Sequence, residues 1–104
     1  MPDKAWKATE RRIAATLGGT RVPVSGRGRG DVPDVAHARF SIECKHRRTL
    51  PGWLLEAMAQ AEAASARGRV PLVVLHRAGD RHGDALAVLR LRDLARLSGA
   101  GGEG

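Results

Sequence analysis

A short segment near the middle of the chain alternates between apolar and polar residues with a period of two. In RFSIECK, residues 39–45, Ile42 and Cys44 fall on one side, and Glu43 and Lys45 fall on the other. This alternation predicts a half-buried strand over residues 40–46. Glu43 and Lys45 then share a face, either as a solvated surface pair or as two groups directed at one functional spot.

Length and composition predict one small domain. The chain has 104 residues, of which 42% are hydrophobic and only 3% aromatic, so its core must be built mainly from aliphatic side chains. We expect a single domain over residues 1–98, followed by a flexible glycine-rich tail, residues 99–104. Cys44 is the only cysteine, which excludes an intrachain disulfide and favours a reducing compartment.

The formal net charge of +7 favours a polyanionic partner. Most of the positive charge comes from arginine, whose planar guanidinium can donate two hydrogen bonds to one phosphate. The N-terminus does not resemble a signal peptide, and the longest apolar runs are strand-sized. These features predict an intracellular, cytoplasmic protein that acts on nucleic acid and not on a membrane.

Helix and strand signals follow one another in an order typical of an α/β domain. Asp3 can cap a helix that ends near Leu17, and Pro51 can begin a second helix that reaches about residue 66. A third helix is predicted over residues 91–97. Strands are predicted over residues 20–24, 32–37, 40–46, 70–76 and 85–90. The expected fold is a mixed central β-sheet flanked by helices.

Glu10 lies inside the apolar stripe of the first helix. It follows Trp6 by four residues and precedes Ile13 by three, so all three share one helix face. A carboxylate on the inward face needs a partner, which a metal ion or a lysine would provide.

Acidic residues also meet on the predicted strands. If residues 32–37 and 40–46 pair as a hairpin, Asp34 comes alongside Glu43. Two carboxylates with a backbone carbonyl between them provide the oxygen ligands that Mg²⁺ prefers. Lys45 beside them could hold a phosphate or help to deprotonate a water, and phosphodiester hydrolysis needs these components.

On these residues the chain resembles the PD-(D/E)XK nuclease superfamily. Pro33 and Asp34 match the "PD", and Glu43-Cys44-Lys45 matches the "(D/E)XK". Within the superfamily it is most similar to the small Holliday-junction resolvases of archaea and phages. That similarity extends to Glu10 in ERRIAATLGG, to the SGRGRGDVPDV loop and to Gln60 in AQA, and covers roughly residues 6–97.

The resemblance implies a restriction-endonuclease-like core and a role for each matched residue. Asp34, Glu43 and the Cys44 carbonyl would bind Mg²⁺, for which Mn²⁺ could substitute. Glu10 would be a further ligand or would hold a water on the metal, and Lys45 would act on the water or the phosphate. Gln60 would support the site. Asp31 is a second candidate for the role of Asp34. The residues expected to contact DNA are Ser25, Arg27, Arg29, Arg47 and Arg48.

The resulting functional prediction is a magnesium-dependent, structure-specific endonuclease that resolves four-way junctions by paired nicks. Paired nicks need two sites, so the resemblance also implies a homodimer, and the protein could be phage-encoded. The apolar residues 70–75 and the Trp53 helix are the candidate shared surface. Two alternatives stay open: another nuclease of the same fold acting in repair or restriction, and a non-catalytic basic module that binds nucleic acid.

Overall fold

Three α-helices and four short β-strands make up the described part of the computed structural model, residues 2–23 and 33–99. In chain order these elements are α1 (Pro2–Leu17), β1 (Thr20–Arg21), β2 (Val35–Ala36), α2 (Gly52–Ala64), β3 (Val73–Leu75), β4 (Leu86–Val88) and α3 (Leu91–Ser98). A single 3₁₀ turn, His82–Asp84, precedes β4. The described residues group into two compact units. The first contains the described residues up to Arg47 and those from Leu94 onward, and the second is Arg48–Asp93.

The strands pair as two separate antiparallel sheets. In the first unit, β1 pairs with β2, with Thr20 opposite Ala36 and Arg21 opposite Val35. In the second unit, β3 pairs with β4, with Val73 opposite Val88. The predicted α/β class is therefore confirmed in its coarse form. The described strands do not, however, form the single mixed sheet that the sequence predicted.

The predicted strand over residues 40–46 is reduced to one antiparallel bridge, between Val35 and Ile42. The Ile42 carbonyl accepts hydrogen bonds from the backbone N–H groups of both Asp34, at 2.8 Å, and Val35, at 3.3 Å. Because one carbonyl receives both donors, the regular ladder is interrupted there. The alternation itself is kept: Ile42 and Cys44 are half-buried, whereas Glu43 and Lys45 are exposed.

Helix α1 ends where the two adjacent glycines predicted that it would. Gly18 has a φ of 78°, a left-handed conformation that glycine adopts without steric cost. The Gly19 backbone N–H donates to the Ala14 carbonyl at 2.8 Å and so satisfies one of the last helical acceptors. Ala14 and Leu17 are buried, and with the fully buried Val35 of β2 they form the core of the first unit.

The turn after β2 is organised around His37. The ring Nδ1 accepts the backbone N–H groups of Arg39, at 3.0 Å, and Phe40, at 3.3 Å. The hydrogen is therefore on Nε2, which donates to the Leu17 carbonyl at 2.8 Å. The His37 ring also stacks on Phe40, with ring centroids 4.8 Å apart. One side chain thus joins the end of α1 to the segment that leads to Ile42.

In the second unit, α2 begins at Gly52, directly after Pro51, and ends at Ala64, about two residues before the predicted end. Ser65 has extended backbone angles, which stop the helix. Met58 is buried and Leu54 half-buried, as the predicted inward face requires, whereas Trp53 keeps 60% of its surface exposed.

Candidate functional site

The side chain of Asp34 is fixed against the segment that carries Glu43. Asp34 is buried, with 9% of its surface exposed, and its Oδ2 accepts the Cys44 backbone N–H at 2.6 Å. This bond to a backbone N–H orients the Asp34 carboxylate. The two halves of the sequence motif, Pro-Asp and Glu-X-Lys, are therefore in direct contact.

Glu43 lies between Ile42 and Cys44, which both hydrogen-bond to Asp34. The bridge between Val35 and Ile42 is isolated, because the Ile42 carbonyl accepts from both Asp34 and Val35 and no ladder extends from it to Glu43. That the Asp34 side chain comes alongside that of Glu43 stays a prediction. Glu43 and Lys45 are both exposed, so their side chains are accessible to a solute.

Glu10 lies inward on α1, as its place in the apolar stripe predicted, and only 5% of its surface is exposed. An arginine faces it, a partner that the sequence had not suggested. Arg21 of β1 donates from Nε to Glu10 Oε1 at 2.8 Å, and 16% of the Arg21 side chain is exposed.

Arg21 also lies over an aromatic ring. Its guanidinium carbon is 5.5 Å from the centre of the Trp6 ring, and the Lys7 ammonium is 5.8 Å from the same centre. Both distances suit attraction between a cation and the negative face of the indole. The Arg21 Nη2 is buried and has no hydrogen-bond partner within the described ranges. The ion pair with Glu10 and the contact with Trp6 are thus the interactions that hold this guanidinium.

A pocket of about 420 Å³ opens between α1 and residues 44–47, wholly within the first unit. The α1 side contributes Ala5, Trp6, Thr9, Glu10 and Ile13, and the other side contributes Cys44, Lys45, His46 and Arg47. One wall is mainly apolar, and the other carries two cations and an imidazole. Cys44, which strand parity assigned to the core, is half-buried and lines this pocket.

The donor set suits a magnesium site that a substrate completes. Asp34 and Glu43 supply two carboxylates, and the described residues contain no group of three or more metal-ligating side chains. Mg²⁺ is commonly bound by one or two carboxylates, with waters and substrate phosphates filling its other positions. Asp34, Glu43 and the Cys44 carbonyl fit that pattern, whereas Glu10 is paired with Arg21.

For several predicted site residues the structure gives no position relative to this group. Gln60 is exposed on α2, in the other unit, and its supporting role stays a prediction. Arg48 is exposed at the start of that unit, while Arg47 lines the pocket. Ser25, Arg27, Arg29 and Asp31 lie outside the described residues.

Sequence reasoning missed Arg21 and His37. Arg21 follows α1 by only four residues, and a buried glutamate on α1 was a signal that a cation should lie nearby. No comparable signal marked His37, because the groups it binds are backbone atoms.

Comparison of the chain with models of protein families, with curated proteins and with solved structures gave no match. None of the described helices is long and apolar enough to cross a membrane.

Proposed function

We propose that the protein is a magnesium-dependent DNA endonuclease with a restriction-endonuclease-like core, and that its substrate is a four-way junction. The observation that carries the proposal is the 2.6 Å hydrogen bond from the Cys44 backbone to Asp34, which joins the Pro-Asp and Glu-X-Lys motifs. The position of Glu43 between two residues that hydrogen-bond to Asp34 and the surplus of positive charge support it.

The roles of the residues follow from their positions. Asp34 and Glu43, with the Cys44 carbonyl, would hold the ion. When bound, Mg²⁺ would neutralise charge on the phosphate and make a water acidic enough to act near neutral pH. Lys45, two residues after Glu43, would attract the scissile phosphate and stabilise negative charge that develops there. Hydrolysis would form a bond from the water oxygen to the phosphorus and break the P–O3′ bond, which leaves a 5′-phosphate and a 3′-hydroxyl.

A basic module that only binds DNA is the competing function. Carboxylates placed beside phosphate-binding cations weaken such a module unless a metal ion offsets their charge. Asp34 is held by a main-chain hydrogen bond next to Glu43, and pure binding does not require this arrangement. This observation favours a nuclease.

A cleavage assay tests the proposal. Four-way junction, flap and linear duplex DNA are incubated with the protein in Mg²⁺ or in EDTA. We expect Mg²⁺-dependent nicking of the junction and, for Glu43→Gln, loss of nicking with junction binding retained or tighter. Glu56→Gln, which changes an exposed acid on α2, is the matched control and should cut normally. Equal cutting of all three DNAs would exclude the resolvase, and no cutting would favour the binding module.

We further propose that two copies of the chain act together. Leu72 and Val74 are 50% and 59% exposed, and Trp53 is 60% exposed, so both predicted contact regions present apolar surface to solvent. A second copy would bury such surface and supply the second site that paired nicks require. Light scattering should give a dimer for the wild type and a monomer for Val74→Glu. A wild-type monomer would exclude this assembly.

A further inference from the structure

We propose that the pocket beside α1 binds one unpaired nucleotide of the DNA, with the base against Trp6 and Ile13 and the phosphate beside Lys45 and Arg47. This inference rests on the proposed function in taking DNA as the ligand. It goes further because it states which part of the DNA the pocket binds: an unpaired nucleotide, which a continuous duplex does not offer.

The size and the walls of the pocket suit a nucleotide. Its volume of about 420 Å³ lies within the range of small-molecule sites. Trp6 and Ile13 provide an apolar wall, and aromatic side chains bind bases regardless of sequence because every base has a π-face. Lys45 and Arg47 are exposed on the opposite wall, where they can donate to phosphate oxygens.

The charge balance of the pocket also favours an anion. Glu10 is the one acid among the lining residues that the structure describes, and Arg21 lies 2.8 Å from its carboxylate. The pair offsets the negative charge, so that Lys45 and Arg47 determine the sign of the local field. Arg21 simultaneously fixes the Trp6 ring from 5.5 Å, which reduces the ordering needed when a base binds.

An unpaired nucleotide fits this pocket better than a paired one. A base that lies within a duplex has both faces covered by its neighbours, and it must leave the stack before it can contact Trp6. Branch points and single strands offer bases that are more easily displaced. Occupancy of the pocket would therefore favour DNA with unpaired or distorted positions over continuous duplex.

The two tryptophans of the chain allow a direct test. Trp6 lines the pocket, whereas Trp53 lies on α2 in the other unit. In a Trp53→Phe protein, all indole fluorescence comes from Trp6. The protein is titrated in EDTA with a short single-stranded oligonucleotide and, separately, with a blunt duplex, while anisotropy of a label on the DNA reports binding itself.

We expect the single strand to quench Trp6 saturably and the duplex to bind without quenching it. Arg47→Ala should weaken single-strand binding, and Trp6→Leu should weaken it by roughly 5- to 100-fold while changing duplex binding little. If Trp6→Leu does not fold, as judged by circular dichroism, the Trp53→Phe titration and Arg47→Ala still decide the question.

Two results would overturn the inference: equal quenching by single strand and duplex, or single-strand binding without quenching. The outcome is separable from the nuclease assay. Junction cleavage without Trp6 quenching would keep the nuclease and reject the pocket. Quenching by the single strand, with no cleavage of any DNA, would keep the pocket and reject the nuclease.

Discussion

Arg21 is the residue whose loss should most disturb the unit that contains the acids. Its guanidinium is the cation 2.8 Å from the buried Glu10, and removing one member of such a pair leaves the other charge in a poorly solvated place. For Arg21→Met we expect the free energy of unfolding to fall by about 2–3 kcal/mol. This is less than for a fully buried pair, because Arg21 remains 16% exposed.

Urea denaturation measures that loss. Arg11→Met, which removes an exposed arginine of α1, is the matched control and should change the unfolding free energy by less than about 0.5 kcal/mol. Equal stability of the two variants would mean that the Glu10–Arg21 pair contributes nothing to folding.

At the residue scale, the sequence predicted where a side chain lies better than it predicted which group that side chain contacts. The spacing of Trp6, Glu10 and Ile13 depends only on helix geometry, so the inward position of Glu10 could be read directly. Its arginine partner could not be read in this way, because Arg21 reaches Glu10 only after the chain has turned at Gly18 and β1 has packed beside α1. The same reasoning explains why Asp34 was found and the Cys44 backbone donor was not.

Among the elements, the contact between the end of α1 and β2 depends on the absence of a side chain at residue 19. A Cβ on Gly19 would lie 2.5 Å from the Ala36 carbonyl oxygen and 2.9 Å from a Val35 methyl carbon. Because the first of these atoms is backbone, relief requires β2 to move. We expect Gly19→Ala to lower the free energy of unfolding by about 1–3 kcal/mol.

The control for Gly19→Ala is Gly52→Ala, at the start of α2. A Cβ there meets no atom within 4 Å, and alanine favours the helix, so stability should stay the same or rise slightly. Thermal melts of both variants make the comparison. A Gly19→Ala protein as stable as the wild type would show that β2 can shift at no cost.

An ion pair ties α2 to the residues after β4. Arg90 donates from Nε and Nη2 to the two Glu62 oxygens, at 2.8 and 3.3 Å. The hydrogen bond from Arg90 has the largest effect and lowers the pKa of Glu62. Desolvation opposes it to a smaller extent, and the positive charges of Arg90 and Arg92 lower the pKa further, each by less than desolvation raises it. The same pair raises the pKa of Arg90.

The lowered pKa of Glu62 makes part of the stability depend on pH. A carboxyl group whose pKa is depressed by folding stabilises the protein above its unfolded pKa of about 4.3, and this stabilisation is lost as the pH falls through the folded value. The free energy of unfolding of the wild type should therefore be larger than that of Glu62→Gln at neutral pH and equal to it at lower pH. The difference should be small and should shrink in salt, because both side chains are partly exposed.

Urea melts of both proteins at neutral and acidic pH measure that difference. Glu56→Gln, a change to an exposed acid on the same helix, is the control. A difference that persists unchanged at low pH would assign the effect of Glu62→Gln to something other than the ion pair.

Helices were predicted from the sequence more closely than strands for a physical reason. The signals that bound α1 and α2, Gly18 and Pro51, act within a turn of the chain. A strand needs a partner that lies elsewhere in the sequence. Residues 40–46 have the alternation of a strand, yet two donors meet at the Ile42 carbonyl and no ladder extends beyond the bridge. The alternation predicted which side chains are exposed but not how long the pairing is.

For the whole molecule, the excess positive charge should strengthen DNA binding. The positions of the charges should matter more than their number. A protein that neutralises phosphates releases the counterions condensed on DNA, so the slope of log K against log salt counts the contacts. Arg47 and Arg48 adjoin Lys45 in sequence and are exposed. If they contact phosphates, replacing both by alanine should reduce the slope by roughly 1–2 units.

Arg67→Ala with Arg69→Ala is the matched control, since it also removes two exposed positive charges, from the turn after α2. If net charge alone governed binding, both double variants would lose affinity equally and keep equal slopes. Local contact instead predicts a reduced slope for the Arg47 and Arg48 variant and an unchanged slope for the control. Fluorescence anisotropy over a salt series, on one junction and in EDTA, distinguishes the two cases. Equal slopes of log K against log salt in both variants would show that Arg47 and Arg48 do not contact DNA.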